Sequence, residues 1–466
     1  MISRTISAEY RPAIWCSWLA IAVLNLGAMS SPVAAGDPVY SVATFSADVT
    51  PPVGSPLCGG FVKPVSGVSE PLQAIGLVIF GAGDPIVLCA VDWCEIRNRD
   101  HVIWREQLAK AAGTTPERVA VQSLHQHNAP LADTIADDLL RDAKSSYRIQ
   151  DTAWMELALA GVAKAVREAT TRRQPLTHIA FGEAAIVEVA SNRRVMGPDG
   201  KVRAVRTSAT KDAAVRAAPE GTIDPMLKTI SFWNGERKLA VLHYYGTHPM
   251  SYYGDGIVSS DFVGIARERR TAEDRVPHIY FTGCGGNVTA GKYNDGNPDN
   301  RPVLANRVYE AMKGAEKSVQ KIPVTRIAWQ TKPVILPVNS GFREEELLKQ
   351  VRDEKASSAT QIVAALKLAY LRYSTAGNPI VLSCLHLGDE VRIAHLPGEP
   401  FIEYQLFAQD DGKGKFVAVA GYGDGGCGYI PLEKSFAEGG YEPTQAFAIP
   451  SSEPLLRRTI GDLLKP

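Results

Sequence analysis

The sequence predicts a mixed α/β fold of the α+β type, in which a β-sheet core built from hairpins is flanked by helices. Apolar runs occur in pairs separated by short turn sequences, in segments 74–93, 227–246 and 380–399. Such pairs are typical of β-hairpins. Helical patterns lie between the pairs at irregular intervals, which argues against a doubly wound parallel sheet.

The turns of the three hairpins all contain glycine. The first hairpin has Gly-Ala-Gly-Asp between its apolar runs, the second has an Asn-Gly turn at Asn234, and the third turns at Leu-Gly-Asp-Glu. Asn-Gly favours a tight hairpin because both residues accept the positive φ that such a turn requires. Each turn is therefore expected to join two antiparallel strands.

Three helical segments are predicted, at residues 100–112, 152–170 and 343–373. The third follows Ser340, a candidate cap, and starts with acidic residues, which suit the positive end of a helix dipole. We expect one continuous helix there.

Polar, glycine-rich sequences follow several of the predicted strands. His125 and His127 follow one strand, His248 follows a second, and Glu399 follows a third, between a glycine and a proline. Loops at strand ends are the usual place where a site is assembled from distant parts of a chain. The active site is therefore expected in these strand-end loops.

The spacing of His125 and His127 suggests a metal site. Residues two apart in a strand point to the same side, so both imidazoles can face one cavity. Either both bind a metal, or one binds while its neighbour acts as an acid/base group or supports the ligand. With His248 and Glu399 they offer the imidazole and carboxylate ligands of a catalytic zinc site. Taken singly, each of these residues could equally be an ordinary surface or buried side chain.

The composition and the first residues narrow the class of protein. The chain has 50 basic and 50 acidic residues and a net charge of zero, so nothing favours a nucleic acid partner. Residues 1–35 combine basic residues, an apolar run and small residues, which predicts a signal peptide cleaved after Ala35. We therefore expect an exported protein, periplasmic or secreted, that begins near Gly36. Residues 36–466 are enough for one large domain or two ordinary ones.

The cysteines do not suggest a metal site. The cysteines that remain after the predicted cleavage are Cys58, Cys89, Cys94, Cys284, Cys384 and Cys427. None has CxxC spacing, so a thiolate zinc site is not expected. Export permits disulfides, but the spacing assigns no pairing. Cys284 and Cys427 lie among glycines and are predicted to serve their loops rather than a metal.

Several short segments resemble the motifs of one enzyme family. The segments, in chain order, are VTPPVGSPLCGGF (49–61), SLHQHNAP (123–130), SNRR (191–194), YGTHPMSYYGDGIVSSDFVG (245–264), CGGNVTAGKYN (284–294), HLPGEP (395–400) and GYIPLEKSFAEGGYEP (428–443). They are similar, in the same order, to the motifs of the neutral/alkaline, non-lysosomal ceramidases. That family hydrolyses the amide of ceramide to a fatty acid and sphingosine.

The resemblance implies specific roles for individual residues. It implies one zinc ion per chain, held by His125, His248, Glu399 and Tyr429. It further implies that His127 is a catalytic neighbour of the metal and that Arg193 and Tyr441 lie near the scissile carbonyl. Thr289 stands at the position of a serine of the family that is often called the nucleophile.

The chain departs from the family pattern at several places. Thr289 keeps a hydroxyl but adds a stiff methyl, so we predict that it positions substrate or water instead of forming an acyl-enzyme. Asn128 and Ala129 replace a serine and a glycine beside His127. The resemblance implies that residues 36–466 form a single catalytic domain, and no C-terminal β-sandwich domain is expected. A helical insertion near residues 340–375 matches no motif of the family.

The resemblance implies an exported, zinc-dependent amidohydrolase that cleaves the N-acyl amide of ceramide-like lipids and touches membrane surfaces transiently. One alternative is a zinc amidase or esterase that acts on a different acylated substrate. Another is a non-catalytic binding protein on the same fold, although such a protein has no chemical need for His127, Arg193 and Tyr441 together. A serine hydrolase is not supported because the chain has no G-x-S-x-G sequence. Zinc is the default metal, but these ligands suit several divalent ions.

Overall fold

The structure of the protein, a computed structural model, describes residues 40–466. In this part of the chain, three larger sheets of five, five and four strands are combined with helices, which confirms the predicted mixed α/β class. The predicted signal peptide, residues 1–35, lies outside the described residues. Among residues 40–466, no helix combines the length and the apolar character needed to span a membrane.

The three larger sheets and the helices have the following bounds. The strands are β1 (Tyr40–Asp48), β2 (Gln73–Phe80), β3 (Ile86–Val91), β4 (Val119–Ser123), β5 (Gln174–Leu176), β6 (His178–Ala185), β7 (Met226–Asn234), β8 (Arg237–Tyr245), β9 (His278–Thr282), β10 (Gln320–Pro323), β11 (Ile327–Val334), β12 (Ile380–Leu387), β13 (Val391–His395) and β14 (Phe416–Ala420). The helices are α1 (Asn98–Ala112), α2 (Thr134–Asp142), α3 (Thr152–Thr170), α4 (Ala213–Ala217), α5 (Asp261–Asp274), α6 (Asn300–Lys317), α7 (Glu344–Arg352), α8 (Ser358–Thr375), α9 (Ile402–Asp411), α10 (Glu433–Glu438) and α11 (Ser452–Leu464). Two-residue strand pairs lie between these elements, among them Ser191–Asn192 with Val288–Thr289 and Glu399–Pro400 with Tyr429–Ile430.

All three sheets contain the same local arrangement. The strand orders are β4-β3-β2-β1-β5 in the first sheet, β9-β8-β7-β6-β10 in the second and β11-β12-β13-β14 in the third. Each predicted hairpin is confirmed, as β2–β3, β7–β8 and β12–β13. After each hairpin a helix (α1, α5 or α9) leads to a strand that pairs in parallel with the hairpin's second strand. Each of the three larger sheets therefore has one pair of parallel strands whose carboxyl ends point the same way.

The carboxyl ends of β4, β9 and β14 meet and are joined by a ring of hydrogen bonds. The amide of Ser123 donates to the carbonyl of Tyr422, and the amide of Gly421 donates to the carbonyl of Thr282, each at 2.8 Å. The hydroxyl of Thr282 closes the ring by donating to the carbonyl of Leu124, also at 2.8 Å. Each bond links a different pair of sheets, so the loops that follow these strands are brought to one place.

The central strands of the first sheet are buried on both faces. Leu77 of β2 packs in a core cluster with Ile230 of the second sheet, whereas its neighbour Val78 packs in another cluster with Trp104 of α1 and Val162 of α3. Successive side chains of a strand point to opposite faces. Because sheets cover one face and helices the other, these strands are apolar along nearly their whole length instead of alternating.

The predicted helices at 100–112 and 152–170 are confirmed as α1 and α3, but the third prediction was wrong in detail. Residues 343–373 form two helices, α7 and α8, instead of one. The break arises because the hydroxyl of Ser357 accepts the amide of Thr360 at 3.2 Å and caps a new helix. Ser340 is not a cap, since α7 starts directly after Arg343 and has no side-chain cap.

Candidate metal centre and active site

Two histidines and one glutamate meet where the sheets join. His125 follows β4, His248 follows β8 and Glu399 follows β13, and all three side chains are buried. The Nε2 atoms of both histidines lie 3.0 Å from the same carboxylate oxygen, Oε2 of Glu399. The structure therefore brings together three of the four residues that the motifs suggested as metal ligands.

The backbone sets the orientation of both imidazoles. Nδ1 of His125 donates to the carbonyl of Cys94 at 2.9 Å, and Nδ1 of His248 donates to the carbonyl of Gly285 at 2.6 Å. A carbonyl only accepts, so Nδ1 carries the proton and Nε2 presents its lone pair to the centre. Nε2 of His125 has no hydrogen-bond partner despite its burial and its distance of 3.0 Å from Glu399.

Three acceptor atoms crowded in this way call for a cation among them. A single proton can join only one pair of the three, whereas a metal ion can be bound by all of them at once. The three ligand atoms lie within 4.8 Å of one another. Two imidazoles and a carboxylate, with Nδ1 held by backbone carbonyls, fit a zinc site of the catalytic type.

The charge distribution also favours a cation. Burial by itself would lower the pKa of His125, but the carboxylates of Glu399 and Glu95 outweigh it and raise this pKa to about 9. Burial lowers the pKa of His248 to about 4 in spite of Glu399. Burial opposes ionisation of Glu399 as well, yet the two imidazoles hold the pKa of this carboxyl well below its usual range. Glu399 therefore stays ionised, and the negative potential of the carboxylates at His125 favours a positive charge at this position.

Tyr429 lies next to the three residues. Glu399 and Tyr429 are partners in a two-residue parallel strand pair, and the hydroxyl of Tyr429 lies 3.4 Å from Nε2 of His248. Nη1 of Arg193 donates to the same hydroxyl at 2.9 Å. Burial raises the pKa of Tyr429, whereas the positive charge of Arg193 lowers it. Arg193 therefore favours the phenolate form that metal binding requires.

His125, Glu399 and Tyr429 of the centre line a cavity of about 420 Å³. This volume is within the range of small-molecule sites. The polar part of the lining includes His125, His127, Glu399, Tyr429 and Tyr441. The apolar part is formed by Phe61, Val62, Leu131, Val363, Leu366 and Phe447. Val363 and Leu366 belong to α8, so the segment that matched no motif contributes to the cavity.

His127 lies beside the metal triad instead of within it. Its ring is half-buried and packs edge-on against His125, at 5.2 Å between centroids, and against Tyr253, at 4.9 Å. The neighbouring loop is held by Asn128, which donates to Asp255 and accepts the amide of Gly254, both at 2.8 Å. Asn128 therefore fixes the loop that carries Tyr253.

Arg193 is not part of the cavity wall. Its guanidinium carbon lies 5.7 Å from the ring centroid of Tyr429 and 5.2 Å from that of Tyr441. Its Nε is 3.6 Å from the buried carboxylate of Glu442. Tyr441 does line the cavity, and 43% of its surface is exposed. Arg193 thus contacts the site through these two tyrosines.

Thr289 is buried and does not line the cavity. Its hydroxyl donates to the carbonyl of Arg206 at 3.4 Å and accepts the amide of Gly291 at 3.2 Å. The carbonyl of the preceding Val288 receives a hydrogen bond from Nδ1 of His248 at 3.1 Å. The side chain of Thr289 is therefore connected to His248 through the backbone of Val288 and has no contact with the cavity.

Sequence reasoning missed three residues of the site. The ring of Tyr422 stacks on His125, with centroids 4.4 Å apart and planes 22° apart. Glu95 lies at the cavity with its carboxylate 3.9 Å from Nδ1 of His125, and Tyr253 packs on His127. Glu95 and Tyr422 each follow closely after a buried strand, the same signal that pointed to the histidines.

Two of the cysteines lie in a place that their spacing in the sequence did not suggest. Cys58 and Cys94 have no motif spacing, yet their Sγ atoms lie 3.6 Å apart, and both line the cavity. Cys284 and Cys427 are buried and belong to none of the potential metal-binding groups found within residues 40–466. Burial raises the pKa of the Cys284 thiol well above its usual range, so this thiol stays protonated.

Comparison with known proteins identifies the fold. No family model matches the chain, and no curated protein matches it. The structure of neutral ceramidase from Pseudomonas aeruginosa is similar, with a TM-score of 0.66 and 14% identity over 92% of this chain and 74% of that one. A ceramidase complexed with C2 is similar too, with a TM-score of 0.67 and 13% identity over 92% of this chain and 75% of that one. The resemblance suggested by the motifs is therefore confirmed as a shared fold: the chain is folded like the neutral ceramidases.

Proposed function

We propose that the protein is an exported, zinc-dependent amidohydrolase that cleaves the N-acyl amide of ceramide-like lipids to a fatty acid and a sphingoid base. One observation carries the proposal. Nε2 of His125, Nε2 of His248 and Oε2 of Glu399 converge at a cavity, on a fold that the chain shares with neutral ceramidases. Export is supported by the signal-peptide pattern of residues 1–35.

The residues that would hold the zinc ion are His125, His248, Glu399 and Tyr429. When bound, zinc supplies a Lewis acid that lowers the pKa of water and polarises a carbonyl group. Arg193 is a positioning residue in this scheme, because it orients the hydroxyl of Tyr429 and stabilises its ionised form.

Two residues of the cavity wall have the chemistry to assist cleavage of an amide. The imidazole of His127 would give a proton to the nitrogen of the leaving amine, which cannot leave as an anion. The hydroxyl of Tyr441 would donate to the carbonyl oxygen as negative charge develops there. Burial raises the pKa of Tyr441 to about 12, so its hydroxyl keeps the proton it needs as a donor.

The cavity suits a substrate that has an apolar chain beside a polar group. Apolar side chains and the metal residues line the same cavity, and its lining residues Phe61, Tyr253 and Tyr441 are about half exposed. The two tyrosines combine an apolar ring with a polar hydroxyl, and such side chains favour a water–lipid boundary. They support transient contact of this opening with a membrane surface, from which a lipid could enter.

A zinc amidase or esterase that acts on a different acylated substrate is the second candidate. It is favoured by α8, because Val363 and Leu366 form part of the wall and come from a segment that matches no motif of the ceramidases. Different side chains in the cavity wall would select different acyl chains, whereas the metal residues and the type of reaction would stay the same.

The decisive experiment combines metal analysis of the purified protein with hydrolysis assays. We expect a zinc ion bound at the centre of His125, His248 and Glu399, and release of fatty acid from N-acyl sphingosines. His248→Ala should lose both this ion and the hydrolysis. His278→Ala is the matched control, since His278 is another buried histidine of the second sheet. Hydrolysis of other N-acyl compounds or esters but not of N-acyl sphingosines would favour the second candidate. A zinc-loaded protein that hydrolyses none of them would contradict both.

A further inference from the structure

A second group of metal-binding side chains lies on the wall of the same cavity. Cys58, Cys94 and His127 each offer one ligand atom, and these atoms lie within 4.8 Å of one another. The two Sγ atoms are 3.6 Å apart, and all three residues line the cavity. The group has no part in the chemistry derived above except through His127.

The backbone holds the three residues in place. The amide of Cys58 donates to the carbonyl of Ala129, and the amide of Cys94 donates to the carbonyl of Pro130, each at 2.7 Å. Ala129 and Pro130 belong to the same loop as His127, which follows β4. One stretch of backbone therefore fixes both thiols next to the imidazole, so little ordering would be needed to bind an ion.

The distances fit a metal ion better than a disulfide. Two sulfur ligands on a tetrahedral zinc ion, each bound at about 2.3 Å, lie about 3.8 Å apart. The sulfurs of a disulfide lie about 2.05 Å apart, which would need a large movement of two hydrogen-bonded segments. Two thiolates, one imidazole and an open position toward the cavity form a recognised type of zinc site. Soft thiolate ligands select zinc over magnesium or calcium.

This group is distinct from the first centre although it adjoins it. The carbonyl of Cys94 accepts the Nδ1 proton of His125, whereas its thiol faces Cys58. The rings of His125 and His127 are 5.2 Å apart between centroids and are nearly perpendicular, at 87°. Cys94 thus contributes to both groups, to the first through its carbonyl and to the second through its thiol. No side chain is shared between the two groups.

We propose that Cys58, Cys94 and His127 form a second metal site, for a soft divalent ion such as zinc. An ion there uses the imidazole of His127 as a ligand and removes it from proton transfer. Excess zinc therefore inhibits hydrolysis, a consequence that rests on the proposed function. The metal site itself does not rest on it.

The test is a titration of the reduced, metal-free, full-length protein with cobalt. We expect two ions per chain, one of which produces the near-ultraviolet charge-transfer absorption of cobalt bound to thiolate. Cys58→Ser and Cys94→Ser each lose this absorption and one ion. Cys384→Ser, a buried thiol on β12, keeps both and is the matched control. His125→Ala loses an ion but keeps the absorption, which separates failure of the first centre from failure of the second.

The wild-type titration decides the matter even if a variant does not fold. A reduced protein that binds one cobalt ion without thiolate absorption overturns the second site. Absorption that persists in both Cys58→Ser and Cys94→Ser overturns the ligand assignment. Peptide mapping that finds Cys58 and Cys94 fully joined as a disulfide in the natively exported protein, with one metal ion bound, also overturns it.

Discussion

Two histidine clusters share the second sheet, and only one of them has the properties of a metal centre. His248 follows β8 and meets His125 and Glu399, whereas His243 lies within β8 and meets His278 of β9. Both clusters combine two imidazoles with a nearby carboxylate and are compact enough to hold an ion. Their composition alone does not distinguish them.

The two clusters differ in whether every ring nitrogen of their histidines has a hydrogen-bond partner. In the inner cluster, Nδ1 of His243 is bonded to the hydroxyl of Thr229, and its Nε2 to Nδ1 of His278, both at 2.8 Å. Nε2 of His278 completes the chain with Asp274 at 3.1 Å. Every ring nitrogen there has a protein partner, whereas Nε2 of His125 in the outer cluster has none.

The surrounding charge strengthens the contrast. Burial lowers the pKa of His243 well below its usual value, and the positive charges of His278, Arg270 and Lys238 lower it further. Lys238 forms ion pairs with Asp274 and Glu316, so the carboxylates near the inner cluster are already neutralised. A cation is repelled there and attracted at the strand ends. Free acceptor atoms that face a cavity, and not the residue types, indicate the site.

The largest effect is expected from removing a ligand of the outer cluster. His125→Ala should lose the ion of the first centre, because one ligand missing from a small set weakens binding severely. Part of the lost activity should return at high metal concentration. Metal analysis after dialysis, with assays over a range of zinc concentrations, measures both effects. Full metal content in this variant would place the ion elsewhere.

His127→Ala should retain the ion of the first centre and still lose turnover. The expected loss is on the order of a hundred-fold or more, as for removal of a general acid/base group. Turnover measured with the first centre loaded separates this variant from His125→Ala. Equal loss of that ion in both variants would instead mean that both histidines are its ligands.

Arg193→Lys should weaken zinc binding about 10- to 100-fold, as is usual when a group that orients a ligand is removed. Lysine cannot reproduce the planar guanidinium that donates to Tyr429 and lies against two aromatic rings. Competition titration with a chelator gives the affinity. In a Tyr429→Phe background the same change should add little, and full additivity of the two losses would argue against the link.

Thr289→Val should lower activity only several-fold. Valine keeps the volume but leaves the carbonyl of Arg206 and the amide of Gly291 without the hydroxyl, a loss of about 1 kcal/mol in the free energy of unfolding. Chemical denaturation and assays measure the two effects. An acyl group trapped on Thr289 and found by mass spectrometry would contradict the assignment.

The smallest effect on activity is expected in the inner cluster. His278→Ala should keep metal content and turnover within about two-fold, because this histidine lies away from the cavity. It should lower the free energy of unfolding by about 1–3 kcal/mol, since Nε2 of the buried His243 loses its hydrogen-bond partner. Loss of bound metal would remove the distinction between the two clusters.

Much of the fold and of the candidate site could be predicted from short segments of the sequence. The Asn-Gly turn at Asn234 predicted the hairpin of β7 and β8, and glycine-rich sequences after buried strands pointed to His125, His248 and Glu399. Where the prediction was wrong, a local signal was present: Ser357 caps α8, but the helical periodicity on both sides hid the break. These features depend on neighbours in the chain, so a single sequence contains them.

The sequence by itself determined the strands, their turns and the residue types at their ends, because period, turn residues and burial act over short distances along the chain. Only the tertiary structure decided which strand ends meet, through hydrogen bonds such as that from Thr282 to Leu124. It also decided that Cys58 and Cys94 come together and that Arg193 reaches Tyr429. The direction of a side chain depends on how distant segments pair, and spacing along a single chain does not specify that pairing.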